Sequence, residues 1–409
     1  MSGSPLFALS DRGARALAEE RGTPCFAYRL DLARERFASL SGLVAASLGS
    51  RGILAYAVKA NPGAPLVAAF ARQGAWLDCA SIGELQLARS TGVPGSRLLL
   101  AGPGKSESEI ALALELGARI EADGIEDLER IEAALASRPW AAELRVSLRV
   151  HPLSGVSESS PIIGGAGPSA FGVDEEDLPA FLREARLFRS LRIAGLQVFA
   201  ASNELEAGRL LGNYRTSFAI AERMSRDFGL ELDLVDLGGG LGLPYSELER
   251  ELDVAALLSG LGSLVAANEW YSGRVLLEPG RWLAGPCGVY LARVLRAKAS
   301  RGELFAVLEG GANHLLRPAL TGQAFPARAL RDRDFAGDAP VEQTLAGPLC
   351  TSLDRLGKAM LPPLRAGDLV MLGQAGAYGA TEAMTAFLSH PPAPEYWLES
   401  DPVIYQETQ

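Results

Sequence analysis

Eight short apolar runs alternating with helical patterns, then a stretch of strands without helices, predict an α/β protein with two parts. The first part reads as a closed (β/α)8 TIM barrel and the second as a C-terminal β-sandwich domain. A third observation sets the chemistry: charged and small residues collect where the apolar runs end, which in such a barrel is the functional face.

The runs appear in the order "ILAYAVKA", "AWLDCAS", "RLLLAGP", "RIEAD", "LRVSLRV", "IAGLQVFA", "LDLVDLGGG" and "RVLLEPGR". The first of them, Ile53, Leu54, Ala55, Tyr56, Ala57 and Val58 before Lys59, reads as a buried strand that Asn61-Pro62 breaks. Between them, "SIGELQLARSTG", "SESEIALALELG", "IEDLERIEAALASR" and "LGNYRTSFAIAERMSRDFG" place apolar residues three and four apart, with Gly near the stops. An open doubly wound sheet is the alternative, with fewer strands. The barrel is expected over residues 31–282 and the β-sandwich over 283–409, where "CGVYLARVLRAKASRGELFAVLEGG" and "AGDLVMLGQAGAYG" read as strands joined by turns. Residues 1–30, with the strand-like "PCFAYRL", are expected to join the second domain. A Gly/Ser/Pro-rich insertion over 151–172 has the length of a functional loop.

Composition narrows the class. A net charge of −10 disfavours nucleic acid and anionic membranes as partners. Cys25, Cys79, Cys287 and Cys350 stand far apart, so neither a metal knuckle nor a disulfide framework is indicated, and reduced thiols suit a cytoplasmic protein. The start, "MSGSPLFALSDRGARALAEERG", shows no targeting pattern, and no apolar run is long enough to span a bilayer.

The chain has four Lys (Lys59, Lys105, Lys298, Lys358) among 39 basic residues. Where nearly every cation is Arg, a Lys closing the first strand stands out, because only an amine that sheds its proton can condense with a carbonyl. Asp78 and Ser81 end the second run, Phe199 and Ser202 follow the sixth, Gly238-Gly239-Gly240 the seventh, and Glu278 and Arg281 the eighth. Backbone N–H groups freed by three glycines, with an Arg, suit a phosphate. A carboxylate suits a pyridinium nitrogen. Lys59, the glycines with Arg281, and Glu278 therefore meet the three needs of pyridoxal phosphate, with Phe199 able to stack on a ring. Plainer readings stay open: a strand-end Lys reaching solvent, a tight turn at the glycines, Phe199 in the core, and Cys350 as a small buried hydrophobe. Cys350 lies in "AGPLCTSLD", a Gly/Pro loop beside an acid, where a thiol is a competent proton donor.

"YAVKANP", "DCASIGEL", "DLGGGLG", "EPGR", "GPLCTSLD" and "GAYG" occur together in an order that resembles the fold-type III pyridoxal-phosphate decarboxylases, the family of diaminopimelate, ornithine and arginine decarboxylases. The resemblance implies an alanine-racemase-like barrel with a β-sandwich, in a head-to-tail homodimer with shared active sites. It implies Lys59 and Cys350 as catalytic, and Asp78 and Glu84 as supports of lysine and cofactor. Ser202 and Tyr378 would surround ring and phosphate, and Cys350 and Asp354 would enter from the other subunit. Arg317, Thr321, Thr351 and Asp354 would meet the substrate, and no metal is implied.

The chain departs from its relatives at particular places. Phe199 stands where diaminopimelate and ornithine decarboxylases stack a histidine, in "FAAS", with Ala201 for a glycine. Thr351 replaces a glutamate that grips the distal amine of diaminopimelate, and Thr321 replaces a tyrosine, whereas Arg317-Pro318 is kept. Thr351 and the "FLSHP" run are more similar to decarboxylases of specialised biosynthetic pathways, including the butirosin-pathway enzyme that acts on glutamate tethered to an acyl carrier protein. The expectation is an amino-acid decarboxylase acting on a free or a carrier-protein-linked substrate. Alternatives are a free diamino-acid decarboxylase such as one for diaminopimelate, a racemase on the same barrel, and a cofactor-free regulatory relative. "FPARALRDRDF" offers Arg328, Arg331 and Arg333 as a patch for an acidic carrier.

Overall fold

The computed structural model describes residues 6–136, 143–153, 167–330 and 339–402. Two compact units emerge: residues 37–243 with 252–280, and residues up to 36 with 244–251 and from 281 onward. Arg331 and Arg333, and residues 154–166 of the long insertion, lie outside the described residues.

The first unit is a closed parallel barrel. Its strands, β1 to β8, are Gly52–Ala57, Trp76–Cys79, Leu98–Leu100, Arg119–Ala122, Leu144–His151, Leu191–Gln197, Leu234–Asp236 and Arg274–Leu277. Each pairs with the next, β8 pairs back to β1, and β4 pairs β5 to complete the ring. All eight apolar runs of the sequence are therefore strands. The intervening helices carry their own start and stop signals. Ser81 caps Ile82–Ser90 by accepting from the Glu84 N–H, and Ser106 with Glu109 forms a capping box on Glu107–Leu116. Gly117 and Gly229 end their helices at φ of 75° and 66°, where a Cβ would be strained.

Period-2 alternation decides what fills the barrel. An apolar cluster of Ile53, Ala55, Trp76, Leu99, Leu234 and Leu276 packs its lower interior. Arg119 enters the same space, donating to Ser147 Oγ at 2.7 Å. Gly195 leaves the room, since a Cβ there would stand 2.6 Å from the Arg119 guanidinium. Two residues further along β4 comes Glu121, and two beyond that Asp123, so one strand runs a line of polar side chains towards the barrel's mouth.

The second unit is a mixed sheet domain. Strand Gly288–Ser300 pairs antiparallel with Cys25–Arg29 and Leu369–Leu372 over its first half, and with Glu303–Leu308 over its second. The register slips between Val294 and Arg296, the irregularity by which one strand turns from one layer into the next. Cys25–Arg29 also pairs in parallel with Glu395–Leu398, which ties the N-terminal segment into this unit. Cys25, Ala27, Val289, Leu291, Leu330, Leu369 and Met371 share its core with Leu17 and Ala18 of helix Asp11–Arg21. Among the described residues no helix is long and apolar enough to cross a membrane.

Candidate active site

After β1 the chain makes a single 3-10 turn, Val58–Ala60, which lifts Lys59 out of the strand. Asn61 then takes an extended conformation and its Oδ1 accepts from the Gly63 N–H at 2.9 Å, while Tyr56 Oη donates to the Asn61 carbonyl at 2.9 Å. "KANP" is thus a rigid platform. Lys59 Nζ reaches Asp78 Oδ2, on the neighbouring strand, at 2.6 Å. The lysine side chain is 43% exposed and the aspartate 0%, so the amine faces a space that a reactant can enter while its partner is fixed. Asp78 Oδ1 has no hydrogen-bond partner. Glu84 Oε2 accepts from the Ala80 N–H at 2.7 Å and braces the loop behind Asp78, and burial raises its pKa.

Opposite runs the glycine loop. Gly238 and Gly240 hold φ of 66° and 95°, which side-chain-bearing residues rarely adopt. Crowding excludes a side chain as well: a Cβ on Gly238 would lie 2.7 Å from Phe199 Cδ2, and one on Gly239 2.8 Å from the Glu278 carbonyl and 3.3 Å from Phe199 Cε2. The glycines thus allow the Phe199 ring and the Glu278 backbone to close on one loop. Two backbone bonds stitch the segments after β6 and β7 together, Glu204 N–H to the Gly240 carbonyl at 2.9 Å and Gly242 N–H to the Glu204 carbonyl at 3.0 Å. Asn203 adds a pair of bonds to Leu243 and so sets the half-buried Ser202 beside that loop. Gly280 completes the packing, as its Cβ would meet Ala57 and Ala60 at 2.9 Å, on either side of Lys59.

Glu278 is buried and its Oε1 lacks a donor. Burial raises its pKa, with the Asp78 charge adding to the rise. Two further carboxylates that the sequence reading passed over share this space, Glu121 on β4 and Asp236 on β7. Their signal was present in "RIEAD" and "LVDLGGG", where an acid interrupts a strand buried on both faces.

The second unit holds its own cluster. Arg281 is buried and donates from Nη1 to Tyr245 Oη at 2.8 Å. Its guanidinium lies 4.6 Å from the Tyr378 ring centroid, and that of Arg317 lies 5.2 Å from the same ring. Two cations against one aromatic ring leave a strongly electropositive spot. Tyr378 sits at φ 53°, a conformation that costs a bulky residue about 1–3 kcal/mol and persists where the surroundings enforce it. Arg317 Nη1 pairs with Glu382 Oε2 at 3.1 Å. Thr321 Oγ1 donates to the Arg317 carbonyl at 3.0 Å and closes that short helix. Cys350 is exposed, at the tip of a loop whose shape is set by Asp354. That buried carboxylate accepts at 2.6 Å from both the Ala312 and the Leu349 N–H. Thr351 Oγ1 accepts from the Leu353 N–H at 3.3 Å. Arg328 donates to Asp11 at 3.0 Å and covers Phe7, so of the proposed basic patch this residue is engaged within its own unit.

A half-exposed amine, a glycine loop beside an aromatic ring, and a buried carboxylate with an oxygen awaiting a donor fit pyridoxal phosphate. The comparisons agree. The profile of the pyridoxal-dependent decarboxylase pyridoxal-binding domain matches residues 35–285. The chain is 30% identical over 387 residues to the L-glutamyl-[BtrI acyl-carrier protein] decarboxylase of Niallia circulans, covering 92% of this chain and 89% of that one. It is 32% identical over 401 residues to the diaminopimelate decarboxylase of Deinococcus radiodurans, covering 96% and 95%. The crystal structure of diaminopimelate decarboxylase from Helicobacter pylori complexed with L-lysine superposes with a TM-score of 0.83 at 26% identity over 94% of each chain. By its barrel, by the lysine and carboxylates gathered at its strand ends and by these relationships, the chain belongs to the pyridoxal-dependent decarboxylases.

Proposed function

We propose that this carboxy-lyase acts on an amino acid tethered to a carrier protein, as one step of a specialised biosynthetic pathway. The observation that carries the reading is Thr351. The residue after Cys350 is a neutral hydroxyl already engaged with the Leu353 N–H, which offers no carboxylate to a distal amine. A site lacking that charge disfavours a free diamino acid by several kcal/mol. Full-length similarity to a decarboxylase named for a glutamyl carrier protein supports the same substrate class. The second reading, a free diamino acid such as diaminopimelate, is favoured by the 32% identity to the Deinococcus enzyme and by Arg317.

Pyridoxal phosphate, when bound, supplies a conjugated ring that takes up the electron pair left at the α-carbon as the bond to the carboxylate breaks and CO2 departs. In the roles we assign, Lys59 would hold the cofactor covalently through Nζ, with Asp78 orienting the amine. Glu278 would keep the ring nitrogen protonated, Phe199 would stack on the ring, and Ser202, Gly238, Gly239, Gly240, Arg281 and Tyr378 would hold the phosphate. Cys350 gives the proton that the α-carbon needs and regains it from solvent. Arg317, Thr321 and Thr351 bound the substrate's distal end, and Asp354 shapes the Cys350 loop. In this reading Cys350 and Asp354 serve the partner's site in a homodimer.

The test compares kcat/KM for one amino acid, free and carrier-bound, by CO2 release. A preference for the bound form of about tenfold or more supports tethering. Equal rates, or turnover of free diaminopimelate alone, reject it.

A further inference from the structure

Four carboxylates point into the upper half of the barrel: Asp78 from β2, Glu121 from β4, Asp236 from β7 and Glu278 just after β8. Glu121, Asp236 and Glu278 bring oxygens within 4.8 Å of one another, all buried. Asp236 Oδ1 accepts from the Gly238 N–H at 2.8 Å and so shapes the glycine loop. Both oxygens of Glu121, Asp236 Oδ2 and Glu278 Oε1 receive no donor. A separate residue reports the same shortage: Gln197, buried and beside Asp236 in the β6–β7 register, has an Oε1 with no partner.

Among the described residues two cations, Arg149 and Lys59, oppose the charge of these acids, and both are engaged elsewhere. Ser147, in register with Glu121 on β5, is occupied by Arg119, which also pairs with Asp233. Arg149 is drawn to the mouth, where it stacks 4.5 Å from Phe171 and approaches Asp123 at 4.0 Å. β3 presents the apolar Leu99, and Asp78 adds a negative charge whose Oδ2 is taken by Lys59. Burial of three carboxylates this close outweighs the two cations, and a proton held between two of them makes a hydrogen bond of what is otherwise repulsion.

We infer that Glu121 is a positioning residue that keeps a proton through neutral pH and shares it with Asp236, thereby holding the charge and orientation of Glu278. The inference uses the cofactor role of Glu278, but its first consequence belongs to the protein without cofactor. Burial, followed by the charges of Glu278 and Asp78, raises the Glu121 pKa, and Asp236 is raised by burial, Glu278 and Glu121. A carboxyl raised in the folded state holds a proton that the unfolded chain has released. It therefore costs stability progressively as pH climbs above the ordinary carboxylate range, until the folded group ionises too.

The apoprotein near neutral pH should show the infrared C=O stretch of a protonated carboxylic acid, moved by D2O and weakened in Glu121→Gln. The Tm of Glu121→Gln relative to the parent should rise between about pH 5 and about pH 9. In the holoenzyme the same variant should lose the parent's alkaline decline in kcat/KM, a difference of about tenfold near pH 9. Should Glu121→Gln fail to fold, Asp236→Asn, whose Oδ1 can still accept from Gly238, should likewise weaken the infrared band. A parent apoprotein with no such band, or a band and pH dependence that both variants leave unchanged, overturns the inference without touching the decarboxylase assignment.

Discussion

Two lysines end barrel segments within two turns of the fold, and both meet aspartates, yet their surroundings give them opposite work. Lys105 follows β3 with a side chain 2% exposed, and its ammonium donates to the Gly102 carbonyl at 2.6 Å and to Asp123 and Asp127 at 2.9 Å each. All three of its donors are spent on acceptors from the two segments, so it clamps the loops after β3 and β4. Lys59 meets Asp78 at 2.6 Å but keeps 43% of its side chain accessible. A reactive lysine needs an approachable nitrogen, and a structural one needs saturated hydrogen bonds; in the proposed reading the barrel holds one of each, after β1 and after β3.

The largest effect expected from that contrast is on turnover. Lys59→Ala should lower kcat/KM by roughly 10³-fold or more and abolish borohydride fixation of the cofactor to the protein, with the fold retained. Fixation persisting at another lysine would end the assignment. Lys105→Met should do the reverse, destabilising the protein by up to about 3 kcal/mol in chemical denaturation, because the ammonium that bridges Asp123 and Asp127 is lost and each keeps only a longer arginine contact, Arg149 at 4.0 Å and Arg130 at 3.3 Å. Unchanged stability would show that the clamp relaxes to water.

Asp78→Asn tests the lysine's partner alone. It should cost about 10- to 100-fold in kcat with little change in Tm, since the amide can still accept from Nζ but no longer offers a charge. A stability loss equal to that of Lys105→Met would instead make the Lys59–Asp78 pair structural. The smallest effect is a recovery. If Cys350 serves the partner's site, mixing inactive Lys59→Ala and Cys350→Ala protomers one to one should restore about a quarter of the parental activity, since half the dimers are mixed and one site in each is complete. No recovery after verified subunit exchange would place the thiol in its own chain's site.

The sequence could not separate the two lysines by burial. "GPGKSES" reads as a solvated loop, and Lys105 becomes buried only because Asp123 and Asp127 arrive from the next β/α unit. The same holds for Asp354, which reads as a residue facing substrate and is found with both oxygens on backbone N–H groups of separate segments. Lys59, Gly238 and Glu278 were legible because strand-end position in a parallel barrel already implies the active face.

What the sequence determined by itself is whatever depends on local period and local geometry. It set eight strands by short apolar runs, helix starts by Ser81 and Ser106, and a glycine loop by positions whose φ excludes a Cβ. Only the tertiary structure decided which acids meet. Glu121, Asp236 and Glu278 come from β4, β7 and the end of β8, far apart in the chain, and ring closure alone brings their oxygens together. The reason is physical: side-chain direction alternates along each strand and can be read locally, whereas the repulsion of three acids in one dry space arises only once the ring has closed.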